Sequence, residues 1–184
     1  YPTIARDFPI PGTQTATIGF SGYTPPSPGS KTLGLANTYD GSSWTSAASM
    51  NTGRATVAGG GTQTAAIGAG GYLTPTTTNT TKTETWDGTS WTETADLATS
   101  KNEMAGAKSG TSSAFLAGAG KATANVATTE EFNVSSNVIT AAAWASGTAL
   151  TNKRRVPAQG IGPATAAMAV GGFDGNPGLA YNEQ

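Results

Sequence analysis

At 184 residues the chain is long enough to bury a substantial core, yet only 11% of it is charged and its formal net charge is −1, so nothing marks a nucleic-acid or acidic-membrane partner. It contains no Cys and no His, which excludes disulfides, thiolate nucleophiles, the usual zinc and copper ligands and the side chain that titrates near neutral pH; no cofactor is expected. No apolar run approaches the roughly 20 residues of a membrane span.

The abundant residues, 32 Thr and 25 Gly, favour strands and turns, and an internal repeat orders them. Residues 1–11, with Arg6, read as the terminal strand of a preceding unit. A first full unit, 12–60, opens on Gly12-Thr13-Gln14-Thr15-Ala16 and runs through a small-residue strand into a loop beginning Tyr23-Thr24-Pro25. Next comes Tyr39-Asp40-Gly41-Ser42-Ser43-Trp44, a hairpin signal because a tight turn needs the positive φ that Gly supplies cheaply. The second unit, 61–109, repeats the opening as Gly61-Thr62-Gln63-Thr64-Ala65, the loop as Tyr72-Leu73-Thr74-Pro75 through Asn79, and the turn as Trp86-Asp87-Gly88-Thr89-Ser90-Trp91. The third, 110–161, opens at Gly110 and replaces the Asp-Gly turn with Phe132-Asn133-Val134 and a longer connection before Trp144. A partial fourth unit, 162–184, ends near Tyr181-Asn182, where the aromatic–Asp pair belongs. The openings are spaced by 49, 49 and 52 residues. A chain that starts at Tyr1, with no signal peptide, is expected to be a processed form or part of a longer protein.

The most regular landmark is an aromatic residue, an apolar one six later and a basic one ten later: Trp44, Met50, Arg54; Trp91, Leu97, Lys101; Trp144, Leu150, Arg154. Each unit therefore reads as four strands, in the second unit about 64–71, 82–86, 90–94 and 102–108. One such sheet cannot cover both its faces, and stacked neighbours bury them; four strands per repeat, arranged radially, make a β-propeller.

The Gly pair Gly70-Gly71, the aromatic–Asp pair Trp86-Asp87, Trp91, Leu97 and Lys101 together resemble the kelch repeat, over nearly the whole chain. The short Tyr39-to-Trp44 spacing and the Thr-rich, self-copying form are most similar to kelch-like repeats in structural proteins of marine and cyanobacterial tailed phages. The resemblance implies an all-β, kelch-type propeller of four-stranded antiparallel blades, three full repeats with partial blades at both ends. Three closures stay open: part of a larger propeller, a four-bladed ring completed by the N-terminal strand, or copies of the chain completing one another's partial blades.

Regular spacing assigns the tryptophans to inter-blade core rather than to sugar stacking. It likewise assigns Arg54, Lys101 and Arg154 to pairing with a neighbouring blade's carboxylate or carbonyls rather than to an anion site. Asp40 and Asp87 cap their hairpins. The non-repeating loops are the binding candidates, Tyr23, Thr24 and Pro25 with Tyr72, Leu73, Thr74 and Asn79, since a tyrosine among polar neighbours makes a contact surface. Kelch-type oxidases need a His-ligated copper and a Cys–Tyr cross-link that this chain cannot supply, so neither a catalytic nor a metal site is expected. The resemblance implies a non-enzymatic structural or adhesive module of a tail fibre or other virion appendage, at the virion surface or extracellular. Expected partners are other virion proteins or copies of the chain, and a host-surface glycan, with no nucleic acid and no membrane span. The alternative is a secreted or cell-surface carbohydrate-binding propeller of a bacterium.

Overall fold

Glycine-marked turns cut the chain into short strands, and the backbone repeats with the sequence. A computed structural model describes residues 1–24 and 31–134 and the backbone of four further strands within 143–183. Among these residues there is no helix, and so none long and apolar enough to cross a membrane. The first sheet is antiparallel and runs β1 (Gly12–Thr13), β2 (Ala16–Phe20), β3 (Ala36–Tyr39), β4 (Trp44–Ala47). The second takes β5 (Ala58–Thr62) and β6 (Ala65–Ala69), then β9 (Thr83–Trp86) and β10 (Trp91–Glu93), with the small hairpin β7 (Tyr72–Leu73) and β8 (Thr78–Asn79) inserted in the chain between β6 and β9. The third is β11 (Ala105–Gly106), β12 (Ala114–Gly118), β13 (Thr129–Asn133), β14 (Ala143–Ser146). A last, three-stranded sheet holds β15 (Ala158–Ile161), β16 (Met168–Val170) and β17 (Asn182–Glu183). The first strands β1, β5, β11 and β15 adjoin one another in series.

The sheets are offset from the sequence repeat by one strand. The segment 102–108, expected to end the second unit, contains β11, which pairs with β12 of the next sheet, Ala105 opposite Gly118. Residues 1–11 shift the same way. They lead into the first sheet rather than finishing a preceding unit, and the amides of Ile18 and Phe20 donate to the carbonyls of Pro11 and Pro9 at 3.1 and 3.4 Å. Loop-closure entropy sets this phase: two residues, Gln63 and Thr64, join β5 to β6, whereas ten, 48–57, separate β5 from β4.

Hydrophobic packing lies between sheets, as the repeat requires. Ile18, Phe20 and Ala36 of the first sheet meet Ala66, Trp86 and Trp91 of the second, with Met50 and Val57 from the connection between them. Ile67 and Ala69 of the second meet Phe115, Ala117 and Phe132 of the third, with Leu97 and Met104 from the next connection. Trp86 and Trp91 thus take the predicted core role, and the Trp91 Nε1–H donates to the Ala48 carbonyl of the preceding connection at 3.0 Å. Trp44, at the equivalent place in the first sheet, is only half-buried and packs against Tyr1 and Tyr39, each with its ring centroid 5.1 Å away; no described sheet stands before it. The side chain of Trp144 lies outside the described residues.

The Asp-Gly turns repeat the same backbone bonds. Asp40 Oδ1 accepts from the amides of Ser42 and Ser43, and Asp87 Oδ1 from those of Thr89 and Ser90, all at 2.8 Å. Gly41 and Gly88 sit at φ 98° and 97°, where a Cβ is strained. These amides, Ser43 foremost for Asp40 and Ser90 for Asp87, hold both carboxyls below the usual carboxylate range. A carboxyl whose folded pKa is depressed gives stability that is fully present above its unfolded pKa, about 3.9. That stability disappears as pH falls through the folded pKa. An NMR titration should therefore place both aspartates below an ordinary Asp, and an Asp40→Asn/Asp87→Asn variant should lose part of the stability change below about pH 4. Ordinary titration of both groups would refute the assignment.

Candidate functional site

The direction of the strands sorts the connections onto two rims. At one rim lie the tight turns of two or four residues, 14–15, 40–43, 63–64 and 87–90. At the other lie the longer stretches 21–35, 70–82 and 119–128, and the inter-sheet connections 48–57 and 94–104. All six described non-glycine residues with positive φ, Asp7, Ser21, Thr56, Thr77, Glu103 and Ala119, lie on this second rim. Asp7, Thr56 and Glu103 are repeat-equivalent, at φ 56°, 54° and 54°. Left-handed backbone away from glycine persists only where its surroundings dictate it, and it concentrates at sites of function.

The recurring basic residue dictates those surroundings. Arg54 and Glu84 are both fully buried, 3.1 Å apart. Arg54 also donates to the carbonyls of Lys82 and Gly68, while its own carbonyl accepts from the Gly22 amide at 2.9 Å and its amide donates to Leu33 at 3.2 Å. Its side chain therefore grips the second sheet and its backbone the first. Burial pushes the guanidinium pKa down, opposed by the charge of Glu84. Glu84 in turn accepts from the amides of Asn51 and Thr52 at 2.7 and 3.2 Å and from Asn51 Nδ2 at 3.0 Å. Lys101 and Glu130 repeat the arrangement at 2.9 Å, and the Ala98 amide donates to Glu130 at 2.7 Å. The expected pairing with a carboxylate of the next repeat thus holds for both cations; Arg154 lies outside the described residues.

Sequence reasoning missed the acids, although a signal was there. Glu84 and Glu130 each stand two residues before the aromatic at the turn, Trp86 and Phe132. The first unit has neutral Asn37 there, before Tyr39, and Ala5 in the basic position. Tyr1 fills the gap: its hydroxyl donates to the Gly19 carbonyl at 3.4 Å, the counterpart of the Arg54–Gly68 contact. Burial raises its pKa, and a hydrogen bond with Asn37 opposes that rise.

The predicted loop residues gather on this rim. Arg6 Cζ lies 4.4 Å over the Tyr23 ring, and the Tyr23 and Tyr72 rings are 6.2 Å apart. Thr74 Oγ1 accepts from the Thr32 amide at 2.8 Å, and Thr24 pairs with Lys31 through the backbone at 3.1 Å. Leu73 pairs with Thr78 across the β7–β8 hairpin. Asn79 faces the other way, its Nδ2 donating to the Lys121 and Ala122 carbonyls at 2.9 and 3.2 Å. Pro25 lies outside the described residues. Burial, more than the neighbouring charges, raises the Tyr72 pKa.

Between that hairpin and the third sheet opens a groove of about 770 Å³, lined by Tyr72, Asn79, Ser100, Asn102, Glu103 and Lys121 among others. The last four were not predicted. Their one signal in the sequence is Lys121, which breaks a tyrosine pattern set by Tyr23 and Tyr72. Among the described residues no three acidic side chains gather as a metal site would need. No protein-family model matches this sequence, and no curated protein matches it either.

Proposed function

We propose that this chain is a non-enzymatic structural and adhesive module of a tailed-phage particle, in a tail fibre or another surface appendage. In this reading its antiparallel sheets are blades of a kelch-type β-propeller. The observation that carries it is the two-rim construction: long connections with tyrosines and hydroxyls crowd one rim, and buried Arg54–Glu84 and Lys101–Glu130 pairs clamp that rim to the sheets. A rigid scaffold presenting polar, tyrosine-bearing loops suits contact with a neighbouring virion protein, another copy of the chain, or a host-surface glycan. The series of adjoining first strands and the half-buried Trp44 support a radial array in which a further sheet covers the first. Mass spectrometry of purified particles should find the protein in the virion, and the isolated protein should compete with particles for adsorption to host cells. Absence from virions would defeat the proposal, and a bacterial secretome containing the protein would favour the bacterial alternative.

A further inference from the structure

We propose that the groove between the second and third sheets binds a pyranose ring of a neutral glycan, with Tyr72 as its stacking wall and Asn102, Glu103 and Lys121 as polar contacts. This rests on the adhesive reading above and gives it a site. The groove exists because the third sheet departs from the repeat. At the junction of the first and second sheets the equivalent place is taken by the Tyr23 and Tyr72 rings, 6.2 Å apart, and by Thr74 bonded to the Thr32 amide. At the next junction Lys121 stands where Tyr23 and Tyr72 stand in their own sheets. Each of the three makes the same backbone bridge, Tyr23 to Arg6, Tyr72 to Ala55 and Lys121 to Asn102. The flexible lysine leaves one face of the groove open where a second tyrosine would fill it.

The lining fits a sugar better than an ion. Lys121 and Glu103 bring one charge of each sign, which favours an uncharged polyol over a sulfate, phosphate or acidic sugar. Asn102 adds a carboxamide to the lining, a group that both donates to and accepts from sugar hydroxyls. Tyr72 brings an aromatic ring to the lining, the kind of group against which the apolar face of a pyranose packs. About 770 Å³ is room for one or two sugar rings. The groove is also preformed, because Asn79 pins the β7–β8 hairpin to the third sheet through Lys121 and Ala122, so little ordering opposes binding.

Saturation-transfer NMR of the protein with millimolar glucose, galactose, mannose and N-acetylglucosamine tests the proposal. At least one sugar should show transfer, and Lys121→Tyr, which rebuilds the Tyr–Tyr contact, should weaken it by about tenfold or more with an unchanged melting temperature. Asn102→Ala should weaken it as well. The proposal is overturned if none of the four sugars shows transfer, or if transfer survives Lys121→Tyr in a folded variant. Either failure leaves the adhesive module standing if the protein still competes for adsorption. Conversely, sugar binding that Lys121→Tyr abolishes supports the groove even where the protein is absent from virions.

Discussion

Replacing Glu84 with Gln is expected to cost the fold about 3–5 kcal/mol, because it leaves the fully buried Arg54 guanidinium without its counter-charge. The change keeps the shape of the side chain, so the loss reports charge and not packing. Arg54→Lys should cost much less, since the third sheet already runs the same clamp with Lys101 and Glu130, 2.9 Å apart. The guanidinium's contacts to the Lys82 and Gly68 carbonyls are what it would forfeit. An Arg54→Met/Glu84→Leu double variant should fall between the two. It removes the uncompensated charge, yet the amides of Asn51 and Thr52 still lose their acceptor. Urea unfolding of the four proteins gives the comparison directly. If Glu84→Gln and Arg54→Lys cost the same, the pair is not the clamp described. Because Arg54 holds the first sheet through its backbone and the second through its side chain, Glu84→Gln should also loosen the Tyr23 and Tyr72 loops. Their amides would then exchange hydrogen faster.

The strands and the Asp-Gly turns were legible because each depends on residues close in the chain, and the core tryptophans because their spacing recurs from unit to unit. Asp40 finds its partners two and three residues on, so a short window of sequence contains the whole interaction. The phase of the repeat was not legible. A tandem repeat reads equally well from any starting point, and 102–108 belongs to the third sheet because β11 pairs with β12 across a seven-residue connection, while eleven residues separate it from β10. The basic positions were visible but their acids were not, since Glu84 lies 30 residues beyond Arg54 and Glu130 lies 29 beyond Lys101. The shared loss of both partners at Ala5 and Asn37 could have joined them, as two positions that change together inside one chain. Half of the candidate site, Tyr23, Tyr72, Thr74 and Asn79, followed from the loops being the part that does not repeat. Ser100, Asn102, Glu103 and Lys121 belong to other connections, and only the lateral packing of two sheets brings them to the hairpin.

Phe20→Ala and Phe115→Ala should each destabilise the protein by about 3–5 kcal/mol, since both rings are fully buried between sheets. Their surroundings differ in a way that sharpens the test. The Phe20 ring lies 4.8 Å from Trp91 and fills the space over Gly68, where an added Cβ would come within 2.9 Å of it. Phe115 stands against Gly106 of its own sheet, where an added Cβ would again come within 2.9 Å of the ring. Gly68→Ala should therefore cost about 1–3 kcal/mol through overpacking. Combined with Phe20→Leu, which withdraws the far edge of the ring, it should cost clearly less than the two changes added together. With Phe115→Ala, at the opposite face of the second sheet, the same Gly68→Ala should add within about 0.5 kcal/mol. Denaturant unfolding of the three single and two double variants separates the cases. Coupling at the first pair with additivity at the second is what two independent interfaces on one central sheet require. Additivity at both pairs would mean that Phe20 does not seat over Gly68, and the packing between the first and second sheets would have to be redrawn.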